Sequence, residues 1–305
     1  MPSKLKDLAA RRLCTPPSFL PEAIQMEVYM GSSAYGCSSN TSDLDVYGFY
    51  IQDKEVIFPH LQGHIDNFDE SPNYFENYTE HHIKDLSAQG GKGVEYDYSL
   101  QGICKYFKLV MQNNPNMVDS LFVPLRCIMF ITPIGQMVRD NRHMFLHKGC
   151  YHKFRGYSFQ QLHKMRIKNP SADSKRKEAF DKYGFDPKFA YHIVRLLNEC
   201  EQILVEGDLD LERSKEQLKS IRRGEWTIDQ IENYFRDNEA RLQTLYDNSK
   251  LPYDPPVDKI KQLLLNCLEQ HFGSLDKVIT TVDPARKVIS EIEDILYFYR
   301  NSKGE

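Results

Sequence analysis

Apolar residues follow two different rhythms along this chain, and the change near residue 100 divides it. Before that point, short runs of β-branched and aromatic residues end on turn formers. Ile24 to Met30 (IQMEVYM) runs into Gly31-Ser32, Leu44 to Ile51 (LDVYGFYI) follows, and Val94 to Tyr98 (VEYDY) comes last. These three runs are predicted strands. Residues 1 to about 22 form a polar, proline-broken lead-in, and Phe58 to Gly93 is a polar, aromatic, turn-rich excursion between core elements. From about Gln101 onward the apolar spacing becomes helical. Ile103, Tyr106, Phe107, Val110 and Met111 mark one face of a helix over 102–112, which Pro115 breaks. Further helices are predicted over 117–122, over 159–167 before Asn169-Pro170, and from an Asp186-Pro187 start to a stop near Gly207. Three more are predicted over 227–246, 255–272 and 284–299. The pattern gives an α+β fold, a small head with a mixed sheet followed by a mostly helical domain, divided as residues 1–125 and 126–305.

Composition narrows the class. The chain has 305 residues, 41% of them hydrophobic, which suits two modest packed domains. No apolar run approaches the roughly 20 residues of a membrane span, and Met1 to Arg12 lacks an apolar signal core. A cytoplasmic protein without a membrane partner is expected. Its seven cysteines are scattered with no CxxC pair, so reduced buried thiols are expected rather than a zinc site or disulfide framework. The net charge of −4 disfavours generic nucleic-acid binding, but its distribution is uneven. Residues 139–195 hold 14 Lys/Arg against 5 Asp/Glu, the remainder 25 against 38. Five of the ten histidines (His143, His147, His152, His163 and His192) share that basic stretch. A polyanionic partner explains the asymmetry, as does a solvated face that balances acidic helices.

The candidate chemistry lies in GSSAYGCSSNTSDLDVYG, residues 31–48. Gly31-Ser32 offers backbone N–H groups and a hydroxyl at a tight turn, a common phosphate cradle. Asp43 and Asp45, two apart at a strand edge, present their carboxylates to one side. Close carboxylates repel unless a cation intervenes, and hard oxygen ligands suit Mg²⁺. A third carboxylate comes from Glu95 or Asp97; alternation puts both on one face and does not choose between them. Taken singly, a Gly-Ser pair is an ordinary turn and DxD a solvated edge. Their order and spacing between two strands carry the reading.

GSSAYG followed by SDLDVYG resembles the polymerase-β-type nucleotidyltransferase signature, a hydrophobic residue and Gly-Ser followed by alternating acids. The fuller pattern resembles the RNA-ligase-associated branch of that superfamily. DYSLQGICKYFKLVMQNNPNMVDSLFVP matches its third acidic strand, helix, Asn-Pro and Leu-Phe; counted from Asn114-Pro115 through Lys105, the third carboxylate falls on Asp97. Phe154, Gly156, Tyr157 and Gln161 match a second element, and Lys188, Ala190, His192, Arg195, Leu196 and Leu197 a third. The resemblance covers about residues 24–271. Ser33 departs from it, since many relatives carry Arg there, and the excursion over 58–93 fits loosely.

The resemblance implies a polymerase-β-type head and transfer of a nucleotide from an NTP, ATP by preference, to a hydroxyl acceptor. It implies Mg²⁺ or Mn²⁺ held by Asp43, Asp45 and Asp97, and a nucleotide held by Gly31, Ser32, Ser42, Lys153, Arg155, Tyr157, Lys188, His192 and Arg195. Lys188, His192 and Arg195 share one helix face, which paired acids would also explain; Tyr157 is a base-stacking ring or a core aromatic. The implied acceptor is an RNA end, tRNA-like, with functional association to an RNA ligase. Nucleotidylation of a protein or small molecule, and a non-catalytic nucleotide- or RNA-binding module, are the competing readings.

Overall fold

The computed structural model describes residues 2–37, 43–65, 69–70, 75–167 and 175–275, with positions 292 and 295. The chain divides into two compact units, residues 1–52 with 75–267, and residues 53–74 with 268–305. Within the second unit the ring of Phe58 meets Phe272 at 6.4 Å between centroids. The predicted helix over 284–299 lies outside the described residues apart from Ile292 and Ile295. No helix among the described residues is long and apolar enough to cross a membrane.

The first unit is built on a five-stranded mixed sheet in the order β3-β4-β2-β1-β5. Its strands are β1 (Ile24–Tyr29), β2 (Leu44–Tyr50), β3 (Asn77–Asp85), β4 (Val94–Gly102) and β5 (Ile128–Ile131). β2 pairs parallel with β4, while β1–β2, β1–β5 and β3–β4 are antiparallel. The three predicted strands are β1, β2 and β4. β3 lies inside the expected excursion, and β5 joins the sheet past residue 125.

Even-numbered positions of β2 and β4 face one core. Val46, Tyr50, Tyr96, Tyr98 and Leu100 pack there with Leu5, Leu8 and Leu20 of the lead-in. The lead-in therefore contains a helix, α1 (Lys4–Ala10), whose cap Ser3 accepts the amide of Lys6 at 3.2 Å. Each such fully buried large side chain contributes about 1.5–3 kcal/mol. The opposite face carries Asp45, Tyr47 and Phe49 on β2, and Glu95, Asp97 and Ser99 on β4. Phe49 stacks on Tyr106 of α2 (Ile103–Met111) at 4.8 Å. Helices thus cover that face at one end of the strands, and the acids occupy the other.

The chain continues through α3 (Pro115–Phe122), α4 (Pro133–Asp140), α5 (Cys150–Ile167), α6 (Lys175–Tyr183), α7 (Pro187–Glu206), α8 (Lys215–Arg222), α9 (Ile228–Asn248) and α10 (Val257–Phe272). Pro115 opens α3 at its first turn rather than merely ending α2, with Asn114 as the cap. α7 starts and stops as its sequence predicts, from the Asp186 cap to left-handed Gly207 at φ 65°. α9 carries a full capping box between Thr227 and Gln230. The seven cysteines are free, and all but Cys104 are buried.

Candidate active site

Parallel pairing of β2 with β4 sets Asp45 directly beside Asp97. Both side chains project to the same face, because strand positions alternate. Asp43, one residue before β2, is exposed at the same edge. Burial raises the Asp45 carboxyl above its ordinary range, Lys188 opposes the rise, and the charges of Asp97 and Asp43 add to it. Asp97 and Asp43 are therefore each close enough to act on Asp45, a crowding that a bound cation relieves.

The backbone after β1 is shaped around Asp45. Gly31 sits at φ 59°, and a Cβ there would lie 2.1 Å from Asp45 Oδ2. Only glycine accepts both the left-handed conformation and a carboxylate against its backbone. The following turn is tied by the amide of Cys37 to the carbonyl of Ser32 at 2.8 Å. Gly31 thus lies against Asp45, with Ser32 next in the chain; Ser42 lies outside the described residues.

Helix α7 brings its residues to very different surroundings. Lys188, in its first turn, is exposed and acts electrostatically on Asp45. His192, one turn on, is half-buried. Arg195, expected on the same phosphate-facing stripe, is instead buried at 4% exposure. Its Nη1 pairs with Asp119 of α3, with Glu199 at 3.3 Å and with the Tyr35 hydroxyl, over whose ring the guanidinium also lies at 4.5 Å. Tyr35 in turn donates to Asp119 Oδ2 at 2.6 Å. The stripe starts in solvent and ends in the core, so its last cation holds the 31–37 loop rather than facing open space. Burial pushes the carboxyls of both Asp119 and Glu199 upward.

The remaining predicted residues lie on α5. Lys153 is exposed, and Arg155 is ion-paired with Glu239 of α9. Tyr157 is half-buried, and its hydroxyl accepts from Asn114 Nδ2 at 3.1 Å. That bond joins the Asn-Pro cap of α3 to the Gly-Tyr element of α5. Ser33, where relatives often carry Arg, offers its carbonyl to Arg126 Nη2 at 3.1 Å, and Arg126 also meets Glu212 at 2.9 Å.

Two residues at the site were missed from sequence. His81 Nδ1 lies 3.6 Å from Asp97 Oδ1, and the amide of His82 donates to the same oxygen at 2.8 Å. The His82 ring pairs with Glu95, whose hydrogen bond is the main reason its pKa is raised. The signal was present in the spacing of Tyr78 and Ile83. An odd separation between two buried strand positions requires an irregularity between them.

Residues 23–264 match the RNA repair pathway DNA polymerase beta family. The chain belongs to that family. The RNA repair pathway DNA polymerase beta match spans β1 to β5 and continues into α10, so it takes in the acids, the Gly31 turn and α7. Among solved structures, the chain is similar to a nucleotidyltransferase-like protein from Exiguobacterium sibiricum 255-15. Identity is 11%, coverage is 79% of this chain and 73% of that one, and the TM-score is 0.28. No curated protein matches the chain.

Proposed function

We propose that this polymerase-β-type family member is a metal-dependent nucleotidyltransferase that moves a nucleotide from an NTP, ATP by preference, to a hydroxyl on an RNA end. The observation that carries the reading is the parallel register placing Asp45 beside Asp97, with Asp43 at the same edge. The donor set consists of carboxylates, with Asp43 and Asp97 both acting on Asp45, which fits Mg²⁺ or Mn²⁺. Divalent ions held there supply Lewis-acid charge for in-line attack at phosphorus and for departure of pyrophosphate.

The chain's own residues do the rest. Asp43, Asp45 and Asp97 hold the ions. Gly31 lets the backbone approach the carboxylates, so Gly31-Ser32 orients the phosphates. Lys188 offers a cation beside Asp45 that stabilises charge on the transferring group. His192 extends that face, while Arg195 fixes the loop from below. Lys153, Arg155 and Tyr157 line the helical side, Arg155 after release from Glu239. The sheet, which β5 completes past residue 125, carries the catalysis, the helices after it carry the acceptor, and the basic stretch 139–195 supports an RNA end. Cytoplasmic action beside an RNA ligase follows from that role.

Incubating the protein with each labelled NTP and Mg²⁺, with and without total RNA, tests the reading. Label on RNA that chelation abolishes is the expected result. Label on protein or small molecules alone overturns the RNA acceptor, and the net charge of −4 is the observation favouring that second reading. No label on anything overturns the transferase.

A further inference from the structure

The strand β3 contains a bulge that gathers ligating groups. Glu80 pairs with Tyr98 and Ile83 with Tyr96, so the two residues His81 and His82 stand opposite Asp97 alone. Regular alternation would send adjacent side chains to opposite faces; a bulge re-aims one of them. His82 adopts φ 61°, the left-handed conformation that brings its ring round to Glu95. One ligating atom from each of His82, Glu95 and Asp97 lies within 4.8 Å of the others. The second imidazole, His81 Nδ1, is 3.6 Å from Asp97 Oδ1. His82 is 75% exposed, Glu95 27% and Asp97 24%, so an ion has a path in from solvent.

This donor set differs in kind from that of Asp43, Asp45 and Asp97. Mg²⁺ takes oxygen ligands and keeps its waters, whereas imidazole suits Zn²⁺, Co²⁺ and other first-row transition ions. We infer that His82, Glu95 and Asp97, with His81 beside them, form a second site, for a first-row divalent transition ion, that shares Asp97 with the transferase acids. The inference rests on the transferase reading only in that Asp97 serves both sites. Asp97 then ties the ion to β4, directly beside Asp45 of β2.

Titration with Co²⁺ alone, followed by visible absorption and by paramagnetic shifts of imidazole protons, tests it. One tight, imidazole-ligated Co²⁺ per chain, retained in a large excess of Mg²⁺, is expected. His82→Asn keeps a side chain that tolerates left-handed backbone, and Glu95→Gln keeps shape; each should weaken Co²⁺ at least about tenfold, the smallest effect expected for losing a ligand. Asp43→Asn should retain the tight Co²⁺ while losing transfer. Full displacement by Mg²⁺, wild-type Co²⁺ affinity in both His82→Asn and Glu95→Gln, or loss of the tight ion in Asp43→Asn overturns the site. Because Co²⁺ binding is read without any NTP, absence of transfer in the wild type overturns the transferase and leaves this result standing.

Discussion

At the scale of single residues, the acids carry the sharpest expectation. Asp45→Asn preserves shape and removes an anionic ligand from a crowded set. Losing a metal-bound transition-state contact costs several kcal/mol, and each ~1.4 kcal/mol is tenfold in rate. Turnover should fall by at least about a thousandfold, measured as label transferred under saturating NTP and Mg²⁺. Stability without metal should hold or rise, because burial and like charges already disfavour the ionised form of Asp45. Asp97→Asn should match that loss and Glu95→Gln should fall well short of it under Mg²⁺. Wild-type turnover in Asp97→Asn overturns the register-based assignment. Sequence alternation alone left this choice open because parity says which face a residue takes, not which neighbour it meets. Register does that, and the register of β4 on β2 follows from the crossover between them. His81 and His82 escaped notice for a related reason. As neighbours on a regular strand they would diverge, and only the extra residue between Glu80 and Ile83 brings them together.

Among elements, helix α7 shows how far periodicity can be pushed. Lys188, His192 and Arg195 do share a stripe, as their spacing requires. Periodicity cannot tell where along the helix the covering layer begins, and here it begins between His192 and Arg195. The caps were legible because they are local: Asp186, Gly207 and Thr227 act within a turn of their own position. β3 was not, because its polar faces and bulge hide the alternation. The stripe's division makes a paired prediction. Arg195→Ala leaves Asp119 and Glu199 buried without their cation, and breaking such a network costs about 3–5 kcal/mol. Lys188→Ala, at an exposed position, should change stability by no more than about 0.5 kcal/mol while weakening NTP affinity. Urea unfolding with NTP titration on both variants separates the roles. If Arg195→Ala unfolds like the wild type, the buried network is not what holds the loop at Tyr35.

For the molecule as a whole, stability should depend on pH through buried carboxylates that pull in opposite directions, Glu27 and Asp85 among them. Glu27 of β1 is fully buried and accepts the amides of Lys4 at 2.6 Å and Leu5 at 3.0 Å, anchoring α1 to the sheet. Burial pushes its carboxyl up to about 7 against an ordinary 4.5, despite those two bonds. The folded state therefore binds this proton more tightly than the unfolded chain. The resulting stabilisation is fully present below pH 4.5 and is lost as pH rises through about 7. Its span is on the order of 3 kcal/mol. Asp85, at the far end of β3, behaves in the reverse sense. The Arg11 guanidinium holds its carboxyl well below the usual range, so its contribution is present above pH 3.8 and disappears on acidification. Thermal melts should thus fall away on both sides of a mildly acidic maximum, with Glu27 contributing to the alkaline limb beside the other carboxyls that burial raises, Asp45, Asp119 and Glu199. Glu27→Gln loses one carboxylate acceptor for the α1 amides and shifts the curve as a whole, so the offset is not diagnostic. The slope is: between about pH 5 and pH 8 the Glu27→Gln protein should decline less steeply than the wild type. An unchanged slope would mean that Glu27 stays ionised in the folded state and that its anchoring of α1 is insensitive to pH.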